Sequence, residues 1–185
     1  MSSKRPAPKG KLINPHFWVF CEGKTEEVYV RHLRSQYRLP VEIIPKVAGC
    51  DISARYIRSF KQDKPVHEKD RDFLIYDADV PGVLQNLTKI ASATLIASNP
   101  CIELWFLLHY MEQKSEVSSN VCIQLLEKAS NGKYSKGSIE VLKKVQAVEE
   151  RKIAGRRAKL MVLFDNPSTN FYAFIDALEE AKSGI

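Results

Sequence analysis

Three carboxylates stand where the chain breaks from apolar runs into turns. Glu22 follows HFWVFC (16–21) and precedes Gly23 and a stretch that opens like a helix, KTEEVYV. Asp77 and Asp79 close a second apolar run, FLIYDAD. On extended backbone, residues two apart project to one face, so the two aspartates are expected side by side. Gathered carboxylates repel unless a cation joins them or one takes up a proton, and oxygen donors at this density suit Mg²⁺ or Mn²⁺. An ion held there would polarise a phosphoryl oxygen and stabilise the attacking and leaving oxygens. Gly23 lets a phosphate approach the backbone, with Lys24 and Thr25 at the helix opening as further contacts. Glu26 and Glu27 oppose an anion on that terminus, and acids in a first turn already have an explanation in the helix dipole.

The elements that must position these acids alternate. HFWVFC reads as a strand, and TEEVYVRHLRSQY (25–37) as a helix with Val30, Leu33 and Tyr37 on one face. VEIIPKV (41–47) reads as a strand placed at an edge by Pro45. SARYIRSFKQ is helical, DFLIYDAD a strand, VLQNLTKIA helical and ATLIAS a strand. Such alternation predicts an α/β fold, a parallel sheet covered by helices. Strand order 2-1-3-4 would bring Glu22, Asp77 and Asp79 to one crevice at the carboxyl edge. From Ile102 the pattern turns helical, through IELWFLLHYM, SSNVCIQLLEKA, a long basic segment and TNFYAFIDALEEA. The expected organisation is a disordered basic tail (1–12), an α/β core (13–110) and a helical extension packed on it (111–185).

Glu103 and His109 interrupt an otherwise apolar helix that begins after Asn99 and Pro100. Glu103 reads as a metal ligand or as an acid favoured by the helix dipole, and His109 as a hydrogen-bonded packing residue. Asn99 shapes the turn or contacts substrate. In RKIAGRRAK, Lys152, Arg156 and Lys159 form a helical stripe: a solvated face, or a track for a phosphate backbone joined by Lys133 and Lys136 of the GKYSKG loop. Tyr134 in that loop either packs or stacks on a base.

The formal net charge of +6 overstates the basic character of the body. Lys4, Arg5, Lys9 and Lys11 lie in the tail, and without them 24 Lys and Arg face 22 Asp and Glu. Cys21, Cys50, Cys101 and Cys122 form no CxxC pair, which argues for reduced thiols in the core over zinc or disulfides. With neither a signal peptide nor a membrane-spanning apolar run in the sequence, a cytoplasmic protein without a membrane partner is expected.

CEGKTEE and YDAD resemble the Toprim pattern, a Glu-Gly and a DxD on a compact α/β core shared by topoisomerases, primases and several nucleases. SNPCIELWFLLHY (98–110) and NPSTNFYAFIDAL (166–178) resemble the RloB-like family of Toprim-related proteins encoded near bacterial restriction systems. The resemblance implies a Toprim-like parallel four-stranded sheet covered by helices, with a helical C-terminal extension. It also implies a Mg²⁺- or Mn²⁺-dependent nuclease site in a phage-defence setting, acting on RNA, tRNA included, or DNA, with a restriction or defence component as partner. Glu22, Asp77 and Asp79 are the positions that inherit the Toprim roles. Toprim proteins often carry a further acid after the DxD; here Val80, Pro81 and Gly82 follow, which leaves Glu103 as the candidate for a second metal position. Two alternatives stay open. FLIYDADVPGVL resembles the DxD strand of haloacid-dehalogenase-like phosphatases, with Asp77 as nucleophile and Asp79 as acid, although two strands precede it. The other is a non-catalytic module that binds nucleic acid or a partner through the basic helix and keeps the acids as a structural metal site.

Overall fold

The computed structural model describes residues 14–39, 42–139 and 143–183. The expected basic tail lies outside the described residues. The chain begins with β1 (His16–Cys21), α1 (Lys24–Tyr37), β2 (Glu42–Val47), a 3₁₀ turn (Gly49–Asp51) and α2 (Ala54–Lys61). It continues through β3 (Arg71–Asp77), α3 (Pro81–Thr88), β4 (Thr94–Asn99), α4 (Glu103–Leu107) and α5 (Ser119–Ala129). It closes with α6 (Lys143–Gln146), α7 (Val148–Ala158), β5 (Ser168–Thr169) and α8 (Tyr172–Ser183).

The sheet runs β2-β1-β3-β4-β5. The first four strands are parallel in the expected order, with the proline-bearing β2 at the edge. The expectation of four strands needs correction, because β5 pairs antiparallel with β4 as a fifth. A strand of two residues has no periodicity to detect. Side chains extend its pairing: Asn170 accepts the Ala97 N–H at 2.7 Å through Oδ1 and donates to Leu95 O at 2.9 Å through Nδ2.

The pleat divides the apolar strand residues between two faces. Phe17, Val19, Cys21, Phe73, Ile75 and Ile96 face one side, where they pack with α1, α4 and the C-terminal helices. Trp18, Phe20, Leu74 and Tyr76 face the other, where α2 and α3 cover them. Buried on both faces, the strands read as continuous apolar runs. Phe171, Phe174 and Leu178 enter the first of these cores directly, so the C-terminal segment shares its interior with the strands. Trp105, Phe106, Leu107 and Leu108 are fully buried as expected, and truncating an aromatic such as Phe106 to Ala would cost about 3–5 kcal/mol.

Helix ends follow local chemistry. The Ser53 hydroxyl accepts the Tyr56 N–H at 3.1 Å and so opens α2. Arg38, at a left-handed φ of 45°, closes α1 by donating its N–H to Arg34 O at 3.3 Å. Cys21, Cys101 and Cys122 are buried free thiols, whereas Cys50, in the 3₁₀ turn, is exposed and not in the core.

Candidate active site

β1 and β3 lie side by side with Cys21 level with Ile75, so Glu22 leaves the sheet next to the end of β3. The Glu22 N–H still donates to Ile75 O at 3.0 Å, and its Oε2 accepts the Asp77 N–H at 2.9 Å. Asp77 is the last residue of β3, and its Oδ1 accepts the Ile102 N–H at 3.0 Å just before α4. Each carboxylate is thereby anchored through one oxygen, and its second oxygen meets no protein donor among the described residues.

Two further acids join them. Glu26 folds back over the opening of α1, where the Gly23 N–H donates to its Oε2 at 3.0 Å. A Cβ on Gly23 would meet that oxygen at 3.1 Å, so the glycine makes room for the acid. Glu103, 2% exposed at the start of α4, accepts the Tyr134 hydroxyl at 2.8 Å. Glu22, Glu26, Asp77 and Glu103 line one cleft of about 370 Å³, together with Gly23, Lys24, Thr25, Lys136 and Gly137.

Burial, reinforced by Glu26, Glu22, Glu103 and Asp79, pushes the Asp77 carboxyl up to about 9. Glu26 is raised as well, mainly by burial, against the opposing pull of its backbone hydrogen bonds. Glu27 behaves differently: the hydrogen bond from Lys24 at 2.6 Å, assisted by Arg31 at 2.7 Å, holds it below the usual carboxylate range despite its burial. Among the described residues, no three His, Cys, Asp or Glu side chains are placed to enclose an ion by themselves.

The other sequence candidates are dispersed. Asp79 is exposed and does not line the cleft, because β3 ends at Asp77 and strand alternation no longer governs the residues beyond it. Asn99 is used inside the fold, donating through Nδ2 to Phe164 O at 2.9 Å. Tyr134 is buried, and its hydroxyl, raised above its ordinary value by burial and by Glu103, holds that acid in place of stacking on a base. Lys133 borders a separate hollow beside Tyr110 and Lys144. Lys152, Arg156 and Lys159 share a face as expected, but they line another cleft that has no residue in common with the acidic one. His109 is buried and donates through Nδ1 to Trp105 O at 2.8 Å, and burial pushes its imidazole down to about 3.

Sequence reasoning undervalued Glu26. Its signal was the spacing Gly23-x-x-Glu26, the geometry in which an acid three residues into a helix returns to the N–H of the cap.

Fold and cleft together define an α/β protein with an acidic site at the carboxyl edge of a mostly parallel sheet. The chain belongs to the RloB-like family: the family model described as RloB-like protein matches residues 17–178, from β1 into α8. No curated protein and no solved structure matches the chain. Among the described residues, no helix is long and apolar enough to cross a membrane.

Proposed function

We propose that this chain is a Toprim-like, metal-dependent nuclease that hydrolyses phosphodiester bonds of RNA or DNA at the acidic cleft. The observation that carries the reading is the convergence of Glu22, Glu26, Asp77 and Glu103 in one cleft, where the Asp77 carboxyl is pushed up to about 9 by burial and its acidic neighbours. A site that makes ionisation this unfavourable is one a cation would relieve.

The donor set fits Mg²⁺ or Mn²⁺. Glu22 and Asp77 each offer an oxygen with no protein donor among the described residues. Mg²⁺ is commonly bound through one or two carboxylates, its remaining positions taken by water and substrate phosphate, so a protein cage of three ligands is not required. Bound there, the ion would supply Lewis-acid stabilisation of charge on a phosphoryl oxygen. Asp79, exposed two residues beyond Asp77 and outside the cleft lining, acts on that carboxyl only through its charge.

The chain's own groups divide the remaining tasks. Lys136, exposed on the rim, meets substrate phosphate, while Lys24 is engaged by Glu27. Glu26, raised by burial, holds or moves a proton at the leaving oxygen. Glu103, fixed by Tyr134, is held in the wall of the cleft. The phosphatase alternative asks Asp79 to act beside Asp77 within the cleft, and its exposed position gives that reading no support. The defence setting and a restriction-associated partner belong to the same proposal and rest on family membership.

The test is to incubate the full chain with labelled tRNA, single-stranded DNA and duplex DNA, in Mg²⁺, in Mn²⁺ and in EDTA. Cleavage of at least one substrate that EDTA abolishes is expected. Binding without cleavage in either metal would favour the non-catalytic module, a reading to which the separate basic cleft lends some weight.

A further inference from the structure

The basic cleft is larger than the acidic one. It measures about 730 Å³ and lies between α7, α8 and the end of α1. Five cations line it, Arg151, Lys152, Arg156, Lys159 and Lys182, against two carboxylates, Asp176 and Glu179. Both acids have other engagements: Asp176 receives Lys159 at 3.3 Å, and Glu179 accepts the Tyr37 hydroxyl at 2.7 Å.

Arg151 is the most telling wall residue. It is 4% exposed, yet no carboxylate pairs with it among the described residues. Its NH1 donates to Gln36 Oε1 at 2.5 Å and to Gln146 O at 3.5 Å, its guanidinium lies 5.5 Å from the Tyr37 ring centroid, and its Nε has no partner. A buried guanidinium without a counter-charge is costly unless an anion completes it. Arg156, five residues further along α7, is exposed and has no hydrogen-bond or ion-pair partner among the described residues. The pairs made by Lys152 with Glu149 and by Lys159 with Asp176 are solvent-exposed, and such pairs exchange readily for a stronger anion. Tyr37, Trp105 and Tyr172 supply aromatic wall, and the volume falls within the range of sites for small organic ligands.

We propose that this cleft binds a small organic phosphate of mononucleotide size, its phosphate on Arg156 and Lys152 before the buried Arg151 and its ring against the tyrosine wall. The site is separate from the acidic cleft, with which it shares no lining residue, and the proposal does not depend on nuclease activity. Arginine suits the task because its planar fork presents paired donors to phosphate and stacks on aromatic faces.

Calorimetric titration of the full chain with AMP, ribose 5-phosphate, inorganic phosphate and a single-stranded oligonucleotide tests the proposal. AMP is expected to bind saturably and at least tenfold tighter than inorganic phosphate. Arg156→Glu, at an exposed position that leaves the core untouched, should weaken AMP at least tenfold. Asp77→Asn should leave AMP binding unchanged, which separates this site from the acidic one. Equal affinity for AMP and inorganic phosphate, an unaltered AMP affinity in Arg156→Glu, or saturable binding of the oligonucleotide alone would each overturn the assignment. The last result would restore the face as a track for a nucleic-acid strand.

Discussion

The carboxylate of Glu22 accepts the backbone N–H of Asp77 at 2.9 Å. The acid that follows β1 thus holds the acid that ends β3, so one side chain both ties the two strand ends together and builds the cleft. Substitutions at Glu22 separate these roles. Glu22→Gln retains an acceptor for the Asp77 N–H and is expected to unfold near the wild-type denaturant midpoint. Glu22→Ala removes the acceptor and should cost about 1–3 kcal/mol. Equal midpoints for the two variants in urea would show that the hydrogen bond contributes nothing.

Asp77 predicts a pH dependence. Its folded carboxyl keeps a proton up to about 9, whereas an unfolded aspartate loses one near 4. Unfolding therefore releases a proton between those values, and this group's contribution to stability, full below about pH 4, is lost as pH rises toward about 9. Asparagine keeps the acceptor for Ile102 and cannot ionise. In EDTA, Asp77→Asn should melt above the wild type, by a margin that grows from pH 5 to pH 8. A margin that shrinks over that range would contradict the assignment.

Tyr134 and Glu103 form a buried pair from two distant segments, with 2.8 Å between hydroxyl and carboxylate. Tyr134→Phe removes the donor and should cost about 1–3 kcal/mol, since Glu103, 2% exposed, then lacks its partner. A double-mutant cycle with Glu103→Leu should return a coupling of at least about 0.5 kcal/mol, read from urea midpoints. Additive losses would mean that the bond does not form in solution.

Much of this architecture was legible because strands and helices announce themselves by period. The four parallel strands followed from alternation and the edge position of β2 from Pro45, whereas the order 2-1-3-4 entered only as the condition that would gather the acids, and the fold supplies it. β5 escaped because it is two residues long and Asn170 extends its pairing with a side chain. The NPSTN stretch that carries part of the family resemblance proves to be a structural tie. Asn166 exchanges hydrogen bonds with the Val117 backbone at 3.0 Å, and Thr169 meets Ser98 at 2.8 Å between hydroxyl oxygens. Periodicity placed Lys152, Arg156 and Lys159 on one helical face but says nothing about what that face borders, so their separation from the acids needed the fold. The same limit applied to Asp79, since alternation holds only while a strand lasts.

The central claim is that the carboxylates lining the cleft carry metal-dependent cleavage, and single-turnover rates at saturating Mg²⁺ measure it most directly. On whichever nucleic acid the wild type cleaves, Glu22→Gln and Asp77→Asn should each slow cleavage by about 100-fold or more, while Glu27→Gln should slow it by less than about tenfold. A rate difference of 100-fold corresponds to about 2.7 kcal/mol of transition-state stabilisation. Glu27 is the fitting control, because its charge is met by Lys24 and Arg31 on the helix itself. Wild-type rates in Glu22→Gln and Asp77→Asn, or losses in Glu27→Gln as large as theirs, would place the chemistry elsewhere in the molecule.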